Sequence, residues 1–280
     1  MSADGPLPWK PVEADLEGLL ARFPRPLQTL SRAEVPAFVL RRAYNPEHCR
    51  GLVHRFVERG LMRDPELPAP PNSRTRIDIG TNLGGYGNKP DEFFAKAAET
   101  NLLFRHLFDG FDNPIAAIYE TLSRLAPGKT VRTAREPDGR LYGQAIFRVH
   151  YESHAYKPHL DHVTLREKRF DFDVTRFDHQ FAGVICIQNA DDRGPAPQAI
   201  LHQCVWTPEV SPYIVEERFP EYVAEHDVKN CSVELEEGDL YFFNTRCIHE
   251  VPPVPGDRPR VVLAVFIGYS DDDDEIFVWS

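Results

Sequence analysis

Cysteine is scarce in this 280-residue chain, and the few cysteines present do not form a framework. None lies in a Cys-X-X-Cys pair, so their spacing argues against both a disulfide-stapled scaffold and a structural zinc site. We interpret them as reduced thiols, several of them in the core. The five positions are Cys49, Cys186, Cys204, Cys231 and Cys247.

The chain also lacks positive charge and long apolar runs. Its 32 Lys and Arg residues against 43 Asp and Glu residues give a net charge of -11, which disfavours duplex nucleic acid or an anionic membrane as the main partner. No stretch approaches the roughly 18 consecutive apolar residues of a membrane span. The segment Met1–Pro6 has no basic stretch followed by an apolar one. We therefore expect a cytoplasmic protein with no nucleic-acid or membrane partner.

What is present is an ordinary globular composition, 42% hydrophobic and 27% charged, which predicts one domain over residues 1–280. Prolines punctuate residues 1–36 and indicate an arm. Asn45 before Pro46 is a helix start signal, and helical spacing continues over 93–125 with breaks at 109–110 and 113–114. Residues 1–140 are thus predicted to be an arm with supporting helices.

The pattern changes to strands after residue 139. Apolar β-type runs predict strands at 142–151, 181–188, 232–235, 240–244, 260–268 and 276–279. Many strands preceded by helices indicate an α+β, mainly β fold: a cupin-like double-sheet jelly roll over 141–280 with N-terminal helical support. Residues 189–230 are interpreted as an insertion, with 190–195 as an evident loop and 209–225 partly helical.

Residues 64–90 form a long segment rich in Pro, Asn, Arg and Gly. A long irregular segment inside a domain is usually functional or disordered, so we interpret it as a lid or substrate loop, with a plain surface excursion as the alternative. Together with the 189–230 insertion, it is long enough to close a site around a small molecule. We therefore expect a small-molecule substrate.

The triplet His159-Leu160-Asp161 predicts a metal site. In an extended strand the imidazole and the carboxylate point to the same face, and His249 would supply a third ligand. Two histidines and one carboxylate on one face of iron(II) leave the opposite coordination positions open for a co-substrate and oxygen.

These residues, with their flanking sequence, resemble the iron(II)/2-oxoglutarate-dependent oxygenases over roughly residues 142–270. The resemblance is closest to members with an aromatic-Lys-Pro before the first metal motif. It is carried by Tyr156-Lys157-Pro158, His159-Leu160-Asp161, the 238–244 segment Gly-Asp-Leu-Tyr-Phe-Phe-Asn, His249-Glu250-Val251-Pro252, and the 256–263 segment Gly-Asp-Arg-Pro-Arg-Val-Val-Leu.

The resemblance implies a double-stranded β-helix in which His159, Asp161 and His249 hold iron, with 2-oxoglutarate and O2 as co-substrates. It also implies an arginine that pairs with the far carboxylate of 2-oxoglutarate, since a planar guanidinium matches a carboxylate. Arg260 and Arg258 share strand parity, so alternation leaves both open. Arg260 is preferred because its spacing to an apolar Leu resembles the family pattern Arg-X-Ser-Leu.

Three further residues are weaker candidates. Tyr151 resembles a family tyrosine that contacts the same carboxylate, although its spacing is one residue short. Arg148 and His150 share one face of a predicted strand, and could bind a carboxylate or amine of the substrate. Val262 stands where many members have serine or threonine, so one expected hydrogen bond to 2-oxoglutarate is absent or supplied elsewhere.

The resemblance implies hydroxylation, or another oxidation of an unactivated C–H bond, in an amino acid or natural-product intermediate, with release of succinate and CO2. Related halogenases carry a small residue at the carboxylate position so that halide can bind iron, so Asp161 argues against halogenation. Two alternatives stay open. The chain could oxidise a protein or peptide side chain, or it could be a non-catalytic cupin-like protein that binds a metal or ligand.

Overall fold

A computed structural model describes residues 8–70, 72–86, 89–190 and 196–280. Its helices are α1 (Leu16–Arg22), α2 (Pro26–Ser31), α3 (Pro46–Glu58), α4 (Pro90–Leu107), α5 (Pro114–Leu125), α6 (Ser211–Val215) and α7 (Phe219–His226). Its strands are β1 (Val12–Glu13), β2 (Ala37–Leu40), β3 (Arg76–Gly80), β4 (Thr130–Thr133), β5 (Ile146–His150), β6 (Tyr156–His159), β7 (His179–Gln188), β8 (Ala196–Val205), β9 (Asn230–Leu235), β10 (Leu240–Asn244), β11 (Cys247–Val251), β12 (Arg260–Tyr269) and β13 (Glu275–Trp279).

The helices begin where the sequence predicts. The Asn45 side chain accepts the Glu47 N–H at 2.9 Å ahead of α3, and Asn113 caps α5 in the same way. Such a cap satisfies a backbone donor that the helix itself leaves unpaired, while the proline that follows has no donor to satisfy. Within the described ranges, no helix is both long enough and apolar enough to cross a bilayer.

The strands form two sheets. The larger runs β1-β2-β10-β7-β12-β13-β4, with β5 also pairing with β12 and β3 pairing with β5. The smaller runs β6-β11-β8-β9. Along β5 and β12, Arg260 lies opposite His150 and Val262 opposite Arg148. This register fixes which side chains share a face of the larger sheet.

Strand alternation divides the larger sheet into two faces. On β12, Leu263 and Ile267 face outward into a core shared with the helices that precede the β region, whereas Val262 packs in a second core shared with the smaller sheet. Two sheets packed face to face, with helices on the outside of one, confirm the predicted mainly β jelly roll with N-terminal helical support.

Two expectations need correction. Residues 189–230 are not simply an insertion, because β8 and β9 at its two ends are paired strands of the smaller sheet and only the connection carrying α6 and α7 leaves it. Of the predicted loop at 190–195, residues 191–195 lie outside the described ranges. The strand carrying the first metal motif is also shorter than expected: β6 ends at His159, so Asp161 lies beyond it.

Candidate metal and co-substrate site

The smaller sheet brings the three predicted metal ligands together. His159 on β6 lies directly opposite His249 on β11, and their ring centroids are 4.3 Å apart. Asp161 is positioned beyond the strand by its backbone N–H, which donates to the Thr245 carbonyl at 3.0 Å. Its Oδ2 lies 3.9 Å from His159 Nε2 and 3.6 Å from His249 Nε2. Three donor atoms within 4.8 Å of one another could hold one metal ion.

Backbone carbonyls orient both imidazoles towards that point. His159 Nδ1 lies 2.7 Å from the Lys157 oxygen, and His249 Nδ1 lies 2.9 Å from the Cys247 oxygen. A carbonyl can only accept, so each Nδ1 is assigned the proton and each Nε2 keeps its lone pair, which is the form a metal needs. Burial, together with the adjacent His249, lowers the pKa of His159 to about 3, so this imidazole is neutral at physiological pH.

Arg166 orients the carboxylate. Its Nη1 donates to Asp161 Oδ1 at 2.5 Å and to the Leu160 carbonyl at 2.9 Å. Burial alone would raise the pKa of Asp161, but the neighbouring His249 and His159 side chains and the Arg166 charge outweigh it and hold the pKa below its usual range. Asp161 is therefore ionised. With Oδ1 taken by the guanidinium, Oδ2 is the oxygen left for a metal.

A cavity of ≈ 490 Å³ lies between the sheets beside these ligands. Its walls include apolar side chains from the larger sheet, and Asn82, Gly84 and Gly85 border it. Part of the predicted 64–90 lid segment is therefore at the cavity, although residues 71, 87 and 88 lie outside the described ranges. From the 189–230 segment, Gln198 and Ala199 of β8 border the cavity. The α6–α7 connection instead packs behind the smaller sheet, on a separate apolar cluster.

Arg260 opens β12 on the cavity wall and is only 3% exposed. Its buried Nη2 has no hydrogen-bond partner among the described residues, and burial lowers the pKa of this guanidinium. Arg258 lies ahead of the strand, is partly exposed, and donates to Glu237 Oε1 at 2.9 Å. It does not border the cavity. Strand parity does not distinguish Arg258 from Arg260, but their positions relative to the cavity do.

Tyr151 lies elsewhere. Its ring packs in the outer core under the Arg63 guanidinium, 3.5 Å from its centroid, and its hydroxyl accepts the Arg63 N–H at 2.8 Å. It does not border the cavity. This placement corrects the expectation that Tyr151 contacts 2-oxoglutarate.

Arg148 and His150 both border the cavity, as their shared strand face predicts. His150 is 3% exposed and stacks on His154 with ring centroids 4.6 Å apart. Burial, and then the Arg260 charge, lower its pKa well below the ordinary value, so it is neutral. Its Nε2 lies 3.4 Å from the Tyr156 hydroxyl.

Sequence reasoning assigned no role to several polar residues that border the cavity, among them Arg76, Asp78, Tyr156 and Tyr241. Arg76 Nε donates to Asp78 Oδ1 at 2.6 Å and its Nη1 donates to the Tyr156 hydroxyl at 2.8 Å. The polar–apolar alternation of Arg76-Ile77-Asp78-Ile79 is typical of a strand and indicates β3. It lies within the 64–90 segment, whose composition predicts a loop.

Comparison with known proteins agrees with this geometry. The family model described as "Carrier-protein-independent halogenase WelO5" matches residues 12–280. A structure of an N-substituted L-amino acid dioxygenase from Burkholderia ambifaria AMMD superposes with a TM-score of 0.57 at 16% identity, covering 91% of this chain and 90% of that one. The same enzyme in complex with alpha-KG, the 2-oxoglutarate anion, gives 0.55 at 15% identity over the same shares of the two chains.

No curated protein sequence matches significantly. At these identities the two structures establish the fold, whereas the family match spans nearly the whole chain. The family works with iron(II), 2-oxoglutarate and O2, and the donor set here suits that metal: two imidazole nitrogens and one ionised carboxylate. The chain belongs to the family of the carrier-protein-independent halogenase WelO5, within the iron(II)- and 2-oxoglutarate-dependent oxygenases.

Proposed function

We propose that the chain uses this centre to hydroxylate an unactivated C–H bond of a small organic molecule, with release of succinate and CO2. The observation that carries the proposal is Asp161. Its Oδ2 faces the same point as the two Nε2 atoms, at 3.9 Å and 3.6 Å. A carboxylate ligand there occupies the coordination position that halide takes in related halogenases, so we infer oxygen transfer although the family model is named for a halogenase.

Each residue has a role in this proposal. His159, Asp161 and His249 would hold the iron, and Arg166 keeps the carboxylate in one orientation. Arg260 would pair with the far carboxylate of 2-oxoglutarate, because a buried guanidinium without a partner is costly until an anion binds it. Bound iron would supply the reduction of O2 coupled to oxidative decarboxylation of 2-oxoglutarate, with one oxygen atom transferred to the substrate carbon. The apolar side chains on the cavity wall would shield that carbon from water.

The substrate is proposed to be a small molecule rather than a protein. A cavity of ≈ 490 Å³ between two sheets suits a ligand of small-molecule size. The Burkholderia enzyme is described as acting on N-substituted L-amino acids, so these compounds are a reasonable first panel, followed by free amino acids and natural-product intermediates.

The test is aerobic incubation of the protein and candidate substrates with iron(II), 2-oxoglutarate and chloride. Succinate is quantified, and product masses are determined by mass spectrometry. We expect a product heavier than the substrate by one oxygen atom, formed in step with succinate. Wild-type protein and the His249→Ala variant are compared, and the variant should form no product. A product in which chlorine replaces hydrogen would refute the hydroxylation proposal in favour of the halogenase reaction. Absence of both 2-oxoglutarate binding and turnover would refute any oxygenase activity.

A further inference from the structure

The larger sheet carries two arginines side by side on its cavity face. The register places Arg260 opposite His150 and Val262 opposite Arg148, so the arginines are diagonal neighbours on adjacent strands. Positions related in this way lie about 7 Å apart. Arg148 therefore lies one row further along the sheet than Arg260, and the two guanidinium groups can receive different carboxylates.

Within the described part of the chain, the carboxylates around the cavity leave the Arg148 guanidinium without an ion-pair partner. Asp78 lies directly opposite Arg148 on β3, but it turns both oxygens to the Arg76 guanidinium. Asp161 pairs with Arg166 through Oδ1, and its Oδ2 faces the proposed metal position. Among the described residues no carboxylate oxygen lies within 4.0 Å of an Arg148 nitrogen, including those of Glu167, the remaining cavity carboxylate, and the buried Arg148 Nε has no hydrogen-bond partner.

Binding of iron(II) with one 2-oxoglutarate would not change the net charge of the cavity. Its two negative charges offset the two positive charges of iron(II), and its far carboxylate would pair with Arg260. Glu167 can offset only one of the two unpaired arginine charges. A guanidinium in a cavity wall without an anion is costly, and the surplus positive charge favours a second anionic group.

The surroundings of Arg148 indicate what that anion is attached to. The next cavity-facing pair beyond Arg148 and Val262 is Ile146 opposite Ala264, and Phe266 follows on β12. A ligand whose anionic end lies at Arg148 would therefore extend its body over an apolar surface.

Resting on the proposed function, we propose that Arg148 is an anion subsite separate from the co-substrate site, and that the substrate is a carboxylic acid with an apolar body along Ile146 and Ala264. Arginine suits this role because its planar fork binds both oxygens of a carboxylate. The prediction concerns binding: removing the negative charge of the ligand, or the positive charge of Arg148, should remove the same interaction.

The experiment is calorimetric titration of the full chain loaded with manganese(II) and 2-oxoglutarate, which keeps the site assembled without turnover. The probes are octanoate, phenylacetate and N-acetyl-L-leucine, each compared with its primary amide. We expect at least one acid to bind about tenfold or more tightly than its amide. Arg148→Met should abolish that preference, and Arg148→Lys should retain part of it. Arg50→Met, which removes a charge from an exposed side chain of α3, is the control and should keep the preference.

The affinity for 2-oxoglutarate, measured in the same preparations, distinguishes the two sites. The subsite predicts a 2-oxoglutarate Kd within about threefold of wild type in Arg148→Met. A larger loss would assign Arg148 to the co-substrate and overturn the subsite, as would a preference that survives Arg148→Met, or failure of every acid to bind more tightly than its amide in the wild type. Failure of the wild type to bind 2-oxoglutarate would instead count against the proposed function. Thermal denaturation of each variant establishes that a lost preference does not reflect unfolding.

Discussion

Replacing Arg260 by methionine should have opposite effects on the empty and the 2-oxoglutarate-bound protein. The guanidinium is 3% exposed, and its Nη2 has no partner among the described residues. An unsatisfied buried polar group costs about 1–3 kcal/mol, and methionine fills similar space without charge. Without 2-oxoglutarate, we therefore expect Arg260→Met to raise the free energy of unfolding by about 1 kcal/mol.

With 2-oxoglutarate present the order should reverse. Loss of one partner of a buried charge pair costs about 2–5 kcal/mol of binding, which is about 30- to 5,000-fold in Kd. Wild-type protein at 100 times its Kd gains about 2.7 kcal/mol from the ligand, and the variant should gain less than about 0.9 kcal/mol at the same concentration. Denaturant unfolding with manganese(II), with and without 2-oxoglutarate, measures both effects.

Arg258→Met is the matched control. Arg258 belongs to the same Arg-Pro-Arg sequence but lies ahead of β12, pairs with Glu237 and does not border the cavity. We expect this variant to change the Kd of 2-oxoglutarate by less than about threefold. The reasoning is refuted if Arg258→Met weakens 2-oxoglutarate binding as much as Arg260→Met, or if Arg260→Met leaves the Kd unchanged.

Three further changes test the metal site, a buried histidine and a turn. His249→Ala should weaken manganese(II) binding by at least about 100-fold in calorimetry, whereas the exposed His226→Ala should not; equal affinities would exclude the triad. Burial lowers the pKa of His162 to about 4, so its unfolded form binds more protons below pH 6.5 and stability should fall as pH drops towards 4. In urea titrations, His162→Gln should reduce this pH-dependent loss of unfolding free energy by about 2 kcal/mol. If the pH dependence of the unfolding free energy is the same in the variant, the loss belongs to other groups. Gly238→Ala should lower the free energy of unfolding by more than about 2 kcal/mol, because φ is +90° and a Cβ would lie 2.2 Å from a backbone oxygen. Gly256→Ala, where φ is +68° but the surrounding space is open, should lower it by about 1 kcal/mol. Equal losses of unfolding free energy in the two variants would contradict this reasoning.

Local patterns predicted the parts of the structure that depend on local rules. The cap at Asn45 and the apolar runs of β7, β10 and β12 were found because helix starts and buried strands carry their own signals. The β8 strand contains Pro197 and several polar residues, so its local pattern predicts an insertion rather than a strand. Its identity depends on pairing with β9 and β11, which no short window of sequence contains.

In the site, too, local sequence patterns leave some residue positions undetermined. Strand parity placed Arg258 and Arg260 on one face, and only the point where β12 begins separates them. Strand parity does, however, separate Tyr151 from the other candidates. Tyr151 has the opposite parity to Arg148 and His150, so all three could not face one cavity along a continuous strand. The structure resolves the conflict in favour of Arg148 and His150.

The two walls of the cavity have complementary electrostatic requirements. On the smaller-sheet side, two Nε2 lone pairs and Asp161 Oδ2 converge and call for a cation. On the larger-sheet side, Arg260 and Arg148 have no carboxylate within 4.0 Å among the described residues and call for anions. A metal alone would leave both arginines without an anion, and an acid alone would leave the three donor atoms without a metal ion. A metal chelated by a dicarboxylate satisfies the donors and Arg260 together, which argues against the alternative of a metal-only cupin-like protein and leaves Arg148 for the substrate.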